Sequence, residues 1–405
     1  MAQFVETLRS VLQFQPWERD ADLRRLRRAA NVDDLRAMAR RRLPRGVFDY
    51  IDGGADAELS LGRNSQAFRD LEFQPRVLRD VAAIDISSTL LGKPVPAPFA
   101  LAPTGFTRIA DPLGELAVAR ASARAQIPYT LSTLSTRSIE EVAAVSQATK
   151  WFQVYMWRDR SVVKSMLDRA AASGYDAAML TVDTGVFGKR DRDARRGFAL
   201  PPKIGPSTIV DGALHPRWTL DLLRNEPILF ANLVGADVSD GTDAIQLADI
   251  SAQFDQSVTW DDIEWLRNNW NGSIILKGIQ TVADAKLAAE HDLDAIALSN
   301  HGGRQLDGSP APITLVRPVA EAVGGQIEII CDGGIRRGSD IVKAIALGAT
   351  ACTIGRAYLY GLAAAGERGV DHVIAMLQTD MIRTMALIGA SSLSELNPEL
   401  IAPRL

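Results

Sequence analysis

Eight short apolar runs, each closing on a polar residue, constrain this chain more than any other feature. They are PFALAP (98–103), PYTLST (128–133), KWFQVY (150–155), AAMLTVD (177–183), SIILKG (273–278), AIALSNH (295–301), EIICDGG (328–334) and ACTIGR (351–356). Segments with apolar residues three and four apart follow most of them, at 113–125, 162–172, 282–290 and 340–347. Runs and helical segments alternating in this way describe βα units around a parallel sheet. Eight is the strand number of a closed barrel, so the expected fold class is α/β, a (β/α)8 TIM barrel. A doubly wound open sheet is the alternative that the count alone leaves standing.

The polar residues favour the barrel. Thr104, Ser132, Gln153, Tyr155, Asp183, Lys277, His301, Asp332 and Arg356 fall at or just after the C-terminal ends of their runs. In a closed barrel all those ends open onto one face, where such folds carry their chemistry. Two regions interrupt the pattern. Residues 1–97 precede the first run and are expected to form a helical extension with a flap over the bottom or mouth of the barrel, which itself spans 98–405. After the fourth run lies an insertion at about 185–258, far longer than an ordinary βα connection and so a candidate lid or binding segment.

Composition excludes several classes. A net charge of −4, with 23% charged and 47% hydrophobic residues, is that of a soluble globular chain and implies no nucleic-acid partner. The arginines at 24–28 and 40–42 have acids nearby, which favours solvated helix faces over a phosphate-binding patch and leaves at most a weak attraction to anionic lipid. Cys331 and Cys352 sit in apolar runs, as core thiols of a reducing compartment do, rather than in a disulfide or metal pattern. Glu6 and Arg9 interrupt the N-terminal stretch where a secretory signal needs a continuous apolar segment. No run reaches the ~18 apolar residues of a membrane span. The expected location is cytoplasmic, and any membrane contact peripheral, at the inner face.

The sixth run ends in SNHGGRQ (299–305), which puts an imidazole and a guanidinium three residues apart on a glycine loop that a ligand can approach closely. A lone histidine is more often structural. His301, however, ends one run and Asp183 another, and a buried carboxylate beside an imidazole stabilises its protonated form, as a general base requires. Arg190 and Arg304 could clamp a carboxylate in bidentate fashion, although Arg190 lies in the charge run KRDRDARR (189–196), which by itself reads as exposed. Asp332, Gly333, Gly334 and Arg336 after the seventh run, with Gly355 and Arg356 after the eighth, resemble the phosphate site that barrels build from those two loops. No metal site is expected.

These residues resemble the FMN-dependent α-hydroxy acid dehydrogenases and oxidases. SNHGGRQLD (299–307) matches that family's signature loop. FDYIDGGA (48–55), LAPTG (101–105), WFQVYMWRDR (151–160), LTVD (180–183), ILKGI (275–279), CDGGIRRGSD (331–340) and IGRAYLYGL (354–362) follow its order, so the resemblance runs from about residue 31 to the end.

The resemblance implies FMN as cofactor, with Pro103, Thr104 and Gly105 along the flavin ring and hydrogen bonds from Ser132, Gln153, Thr181, Lys277 and Ser299. It also implies a catalytic group of His301, Asp183, Tyr155 and Lys277, with Tyr50, Tyr155, Arg190, His301 and Arg304 around the substrate. Lys277 would stabilise negative charge developing on the reduced flavin. The implied reaction is oxidation of an L-2-hydroxy acid, lactate- or mandelate-like, with electrons passed to a quinone or similar acceptor, in a homo-oligomer of tetramer type. An oxygen-using oxidase or a lactate 2-monooxygenase is the rival.

Three positions depart from family patterns: Gly105 stands where many oxidases carry alanine, Leu134 where glycolate oxidases carry tryptophan, and Gly185 where a proline is common. The segment LHPRWTLDLLRNEPILFANLVG (214–235) is similar to that of membrane-associated lactate and mandelate dehydrogenases. A lid or an oligomer contact is an equal alternative for it. The base and both arginines argue against a non-catalytic barrel. FMN barrels acting on nucleotides or prenyl phosphates would need a catalytic cysteine loop or another base.

Overall fold

The eight runs are strands, and they close on themselves. The computed structural model describes residues 18–196, 205–233 and 252–404. In it β1 (Leu71–Phe73), β2 (Ser88–Leu90) and β3 (Lys93–Val95) precede the eight. The eight are β4 (Phe99–Leu101), β5 (Tyr129–Ser132), β6 (Lys150–Val154), β7 (Ala177–Thr181), β8 (Ser273–Ile279), β9 (Ala295–Ser299), β10 (Glu328–Asp332) and β11 (Ala351–Ile354), with β12 (Ile401–Pro403) after them. Each barrel strand pairs in parallel with its sequence neighbour, and β11 returns to β4 through Cys352–Phe99 and Ile354–Leu101. Closure leaves no sheet edge and rules out the open-sheet alternative.

Side chains alternate across a strand, so one parity faces the barrel axis along its whole length. Near the bottom that parity is apolar: Ala100, Trp151, Met179, Ile275, Ala297, Ile330 and Ala351 form one buried cluster. Two residues further along the same strands it becomes polar, at Gln153, Thr181, Lys277, Ser299, Asp332 and Thr353, all buried. The opposite parity, including Phe99, Leu131, Phe152 and Leu298, packs outward with the helices. Those helices start where capping donors are met: Asp159 accepts from Ser161 N before Arg160–Ala172, and Thr281 accepts from Asp284 N before Val282–Glu290. Arg160–Ala172 buries Val163, Met166, Leu167 and Ala170 on one face, each large side chain contributing roughly 1.5–3 kcal/mol.

The N-terminal residues cover both ends of the barrel. The antiparallel β2–β3 hairpin brings Leu90, Leu91 and Val95 onto the apolar cluster at the bottom, while β1 pairs with β12. The helix Leu59–Arg69 docks at the mouth instead. There Gly303, at φ +73°, comes so close that a Cβ would lie 2.5 Å from Leu61 N.

In the insertion, the apolar residues of the segment 214–235 divide. Trp218, Ile228, Phe230 and Leu233 pack on the core, while Leu220, Leu222, Leu223 and Leu229 are exposed. Val234 and Gly235 lie outside the described residues, as do the N-terminal stretch to residue 17 and positions 197–204 and 236–251 of the insertion. No described helix is long and apolar enough to cross a membrane. Both cysteines are free and buried, and the described residues contain no cluster suited to a metal ion.

Candidate active site

One cavity at the C-terminal ends of the strands is lined by every candidate residue except Asp183 and Ser299, which stand just behind its wall. At its floor, Lys277 Nζ lies 3.0 Å from Asp332 Oδ2 and donates to Ser299 Oγ at 3.0 Å. Ser299 Oγ donates to Asp332 Oδ2 at 2.7 Å, and Thr353 Oγ1 to Oδ1 at 2.7 Å. Burial works against both charges. Lys277 and the hydrogen bonds outweigh it and hold Asp332 below the usual carboxylate range, while Asp332 and Asp183 hold Lys277 above the usual amine range. Beside this pair, Ser132 Oγ donates to Gln153 Oε1 at 3.0 Å, and Gln153 Nε2 donates to Thr181 Oγ1 at 3.0 Å.

His301 stands above this network at φ +58°, a left-handed conformation unusual for a residue with a side chain. Such strain costs on the order of 1–3 kcal/mol and persists where surrounding contacts fix it. Here His301 N donates to Ser299 Oγ at 3.0 Å, and Gly303 N to Asn300 Oδ1 at 3.0 Å. Asn300 is locked in turn by a reciprocal amide pair with Asn64 at 2.7 and 2.8 Å. His301 Nδ1 lies 3.0 Å from Asp183 Oδ1, which also accepts from Thr184 Oγ1 at 3.0 Å. Burial pushes the Asp183 carboxyl up, but the His301 ring and Lys277 outweigh it and hold the carboxyl low. Asp183 Oδ2 is buried without a hydrogen-bond partner among the described residues.

At the opposite side two guanidinium groups flank Tyr50, with Arg190 Cζ 5.4 Å and Arg304 Cζ 5.1 Å from its ring centre. The reading of 189–196 as an exposed charge run holds for Lys189 and Arg195 and fails for Arg190 and Arg192. Arg190 is only 13% exposed, and Arg192 reaches Asp52 at 2.9 Å and Glu58 at 2.6 Å. Arg190 Nη1 stands 3.5 Å from Asp193 Oδ2, within ion-pair range, yet completes no hydrogen bond among the described residues. Arg304 Nη1 donates to the carbonyls of Tyr50 and Gly53 at 2.7 and 3.0 Å. Burial, then Arg190 and Arg356, push its guanidinium down to about 9. Tyr155 lies between the two sides, its phenol pushed up by burial and then by Asp183.

The loops after β10 and β11 form the third wall. Gly333 and Gly334 have φ of +132° and +83°, and a Cβ at Gly355 would meet only Ala102, at 3.8 Å, so the backbone there is open to a ligand. Arg356 is placed differently from a free phosphate grip. Its guanidinium donates to the carbonyls of Ile51, Gly302 and Gly53 at 3.0, 2.7 and 2.6 Å, and so ties the extension to the loop.

The sequence profile of the FMN-dependent dehydrogenases matches residues 39–403. The chain belongs to that family. It is 49% identical over 395 residues to a Mycobacterium tuberculosis protein provisionally named L-lactate dehydrogenase, covering 97% of this chain and 94% of the other. It is 40% identical to the (S)-mandelate dehydrogenase of Pseudomonas putida, over 91% and 93%. The solved structure of the monotopic membrane protein (S)-mandelate dehydrogenase aligns with a TM-score of 0.89 at 39% identity, covering 93% of this chain and all of that one.

FMN fits this family member's cavity chemically. The left-handed Gly333–Gly334 pair after β10 and the open backbone at Gly355 after β11 suit a phosphate, and the buried Lys277 and the Gln153–Thr181 pair suit a polar heterocycle edge. Several lining residues carried no signal by position. Phe106 and Phe187 also line the cavity, Phe106 packing on Phe230 at 5.5 Å and Phe187 on Phe254 at 5.1 Å. Gln305 holds the loop after β7 through Asp183 O and Val186 O. Only its place in the signature loop could have marked it.

Proposed function

We propose that the protein oxidises an L-2-hydroxy acid to the 2-oxo acid and passes the electrons to a quinone or similar carrier. One observation carries this: a His301–Asp183 pair faces, across a single cavity, two guanidinium groups that retain hydrogen-bonding capacity. A 2-hydroxy acid has its reacting carbon next to a carboxylate, so it needs a base and an anion clamp side by side. Relatives named for L-lactate and (S)-mandelate support that substrate class.

Arg190 and Arg304 bind the carboxylate, with Tyr50 and Tyr155 fixing its orientation. His301 accepts the substrate proton, and the buried Asp183 carboxylate stabilises the imidazolium that results. FMN, when bound, supplies the two-electron acceptor. Pro103, Thr104 and Gly105 would lie along its ring, and Ser132, Gln153, Thr181, Lys277 and Ser299 would serve its polar edge directly or through one another. Lys277 supplies the positive charge that offsets reduction. Gly333, Gly334, Arg336 and Gly355 would receive the phosphate, with Asp332 holding Lys277 and Arg356 fixing the loops and adding charge.

Peripheral membrane contact through the insertion belongs to the same proposal. The helices Pro206–Leu214 and Pro216–Arg224 turn polar groups inward: Asp211 Oδ2 accepts from Arg45 N at 2.7 Å, and Trp218 Nε1 donates to Ile109 O at 2.9 Å. Ile209, Val210, Leu214, Leu220 and Leu223 are exposed. Apolar residues on the outside of a well-anchored element suit an interface with lipid.

The test is anaerobic mixing with a panel of L- and D-2-hydroxy acids while flavin absorbance is followed. Rapid bleaching by L-lactate or L-mandelate, and none by the D-enantiomers, is expected. No bleaching by any L-2-hydroxy acid would sink the reading.

A further inference from the structure

Two groups of arginines that are separate in sequence converge in space. Arg25 and Arg28, Arg41 and Arg42 on the helix Val32–Arg42, and Arg217 at the start of the second insertion helix line one cleft of about 360 Å³, with Met38 and Leu214 as apolar lining. The acids that read as balancing these charges do so only in part. Asp22 is shared between Arg25 at 2.6 Å and Arg217 at 3.8 Å. Arg42 has Asp111 at 3.6 Å. Arg28 and Arg41 are exposed and have no ion pair among the described residues. Five guanidinium groups therefore stand against two carboxylates. The cost of that arrangement registers at Arg42, whose guanidinium is pushed down by burial and then by Arg217 and Arg25, with Asp111 working the other way.

Leu214 belongs to both this cleft and the exposed apolar face of the insertion. Leu214 and Leu223 are 71% and 75% exposed, so an apolar ridge and a cationic cleft meet at one edge.

We propose that the cleft seats the phosphate of an anionic phospholipid, which orients the insertion on the membrane. This rests on the peripheral-membrane reading above and adds a ligand chemistry to it. Guanidinium groups are suited to phosphate oxygens, and basic pockets beside an interfacial helix recognise anionic headgroups. A free phosphate would satisfy the arginines and leave the ridge in water. A lipid satisfies both.

The test is co-sedimentation of the holoenzyme with phosphatidylcholine vesicles, with and without about one third phosphatidylglycerol. The intact protein is expected to bind the mixed vesicles more tightly, and Arg28→Gln/Arg41→Gln to lose roughly 25-fold of that binding, about fivefold for each arginine at an anionic surface. Flavin reduction by substrate should be unchanged in the variant. Equal binding of the intact protein to both vesicle types, or an unaffected variant, would overturn the phosphate site while leaving the membrane reading intact. If the intact protein binds neither vesicle, both fail. A change of oligomer mass in the variant, without a change in lipid binding, would make the cleft a contact between copies and also overturn the proposal.

Discussion

The two ends of the cavity are built on opposite principles. At the floor, Lys277, Asp332, Ser299 and Thr353 satisfy one another within 3.0 Å, and all four sit on barrel strands. At the opposite side, Arg190 and Arg304 stand on loops, stacked on Tyr50, and Arg190 Nη1 is buried with no hydrogen-bond partner among the described residues. A buried polar network is rigid when every member is satisfied and unfavourable when one is not. The floor is therefore complete as a receptor for something that stays. The substrate side is unfinished, as suits a site that an anion enters and leaves at each turnover.

His301 joins the two ends, and its removal should have the largest effect. His301→Gln is expected to keep bound FMN and to lose flavin reduction by roughly 100-fold to 10,000-fold, the range for a positioned base. Anaerobic stopped-flow absorbance measures it, and a rate within a few-fold of the natural enzyme would take His301 out of that role. Lys277→Met attacks the floor. It leaves Asp332 buried without its cation, which should cost about 3–5 kcal/mol in denaturant unfolding. A loss well under 1 kcal/mol would mean that the floor is not the satisfied network described. Asp183→Asn should slow flavin reduction roughly tenfold to a hundredfold, less than loss of the base itself because His301 remains while its buried counter-charge is removed, with little change in the KM for substrate.

The smallest effect tests the frame around the substrate side. Asp52 is buried, bonded to Arg36 at 2.5 and 2.8 Å, to Arg192 at 2.9 Å and to Tyr360 at 2.7 Å. Burial works to raise its carboxyl, and these partners more than offset it and hold the carboxyl well below the usual range. A carboxyl lowered in the folded state stabilises the fold above its unfolded value near 3.9, and that contribution is lost as pH falls toward the folded value. Asp52→Asn should thus cost roughly 1–2 kcal/mol at pH 7, with the gap to the natural protein narrowing below about pH 4. A gap that widens on acidification would contradict the assignment.

The barrel was legible in the sequence because its strands obey a local rule: apolar until the last turn of chain, polar after it. The inward parity that places Ile275 at the bottom places Lys277 at the mouth. The same logic found His301, Asp183, Gln153 and Asp332. Local rules failed where partners come from far along the chain. The run 189–196 has the composition of a surface, and contacts from the extension, with Tyr50, Asp49, Asp52 and Glu58, turn Arg190 and Arg192 inward. The Asn64–Asn300 lock and the Arg356 contacts to Ile51 and Gly53 likewise join residues more than 200 positions apart. The convergence of the two arginine groups with Arg217 has the same origin.

The difference between the two ends is tested most directly by titrating the oxidised holoenzyme with oxalate, an anion that fits a carboxylate clamp and yields no electrons. Binding is read from the perturbed flavin spectrum in the natural protein and in Arg304→Met. The prediction is that the variant keeps its FMN and loses oxalate affinity by roughly 30-fold to 1,000-fold, the range for one member of a desolvated charge pair. Oxalate binding at the natural affinity in Arg304→Met, or loss of FMN with the oxalate site, would contradict the separation of a finished floor from an unfinished clamp.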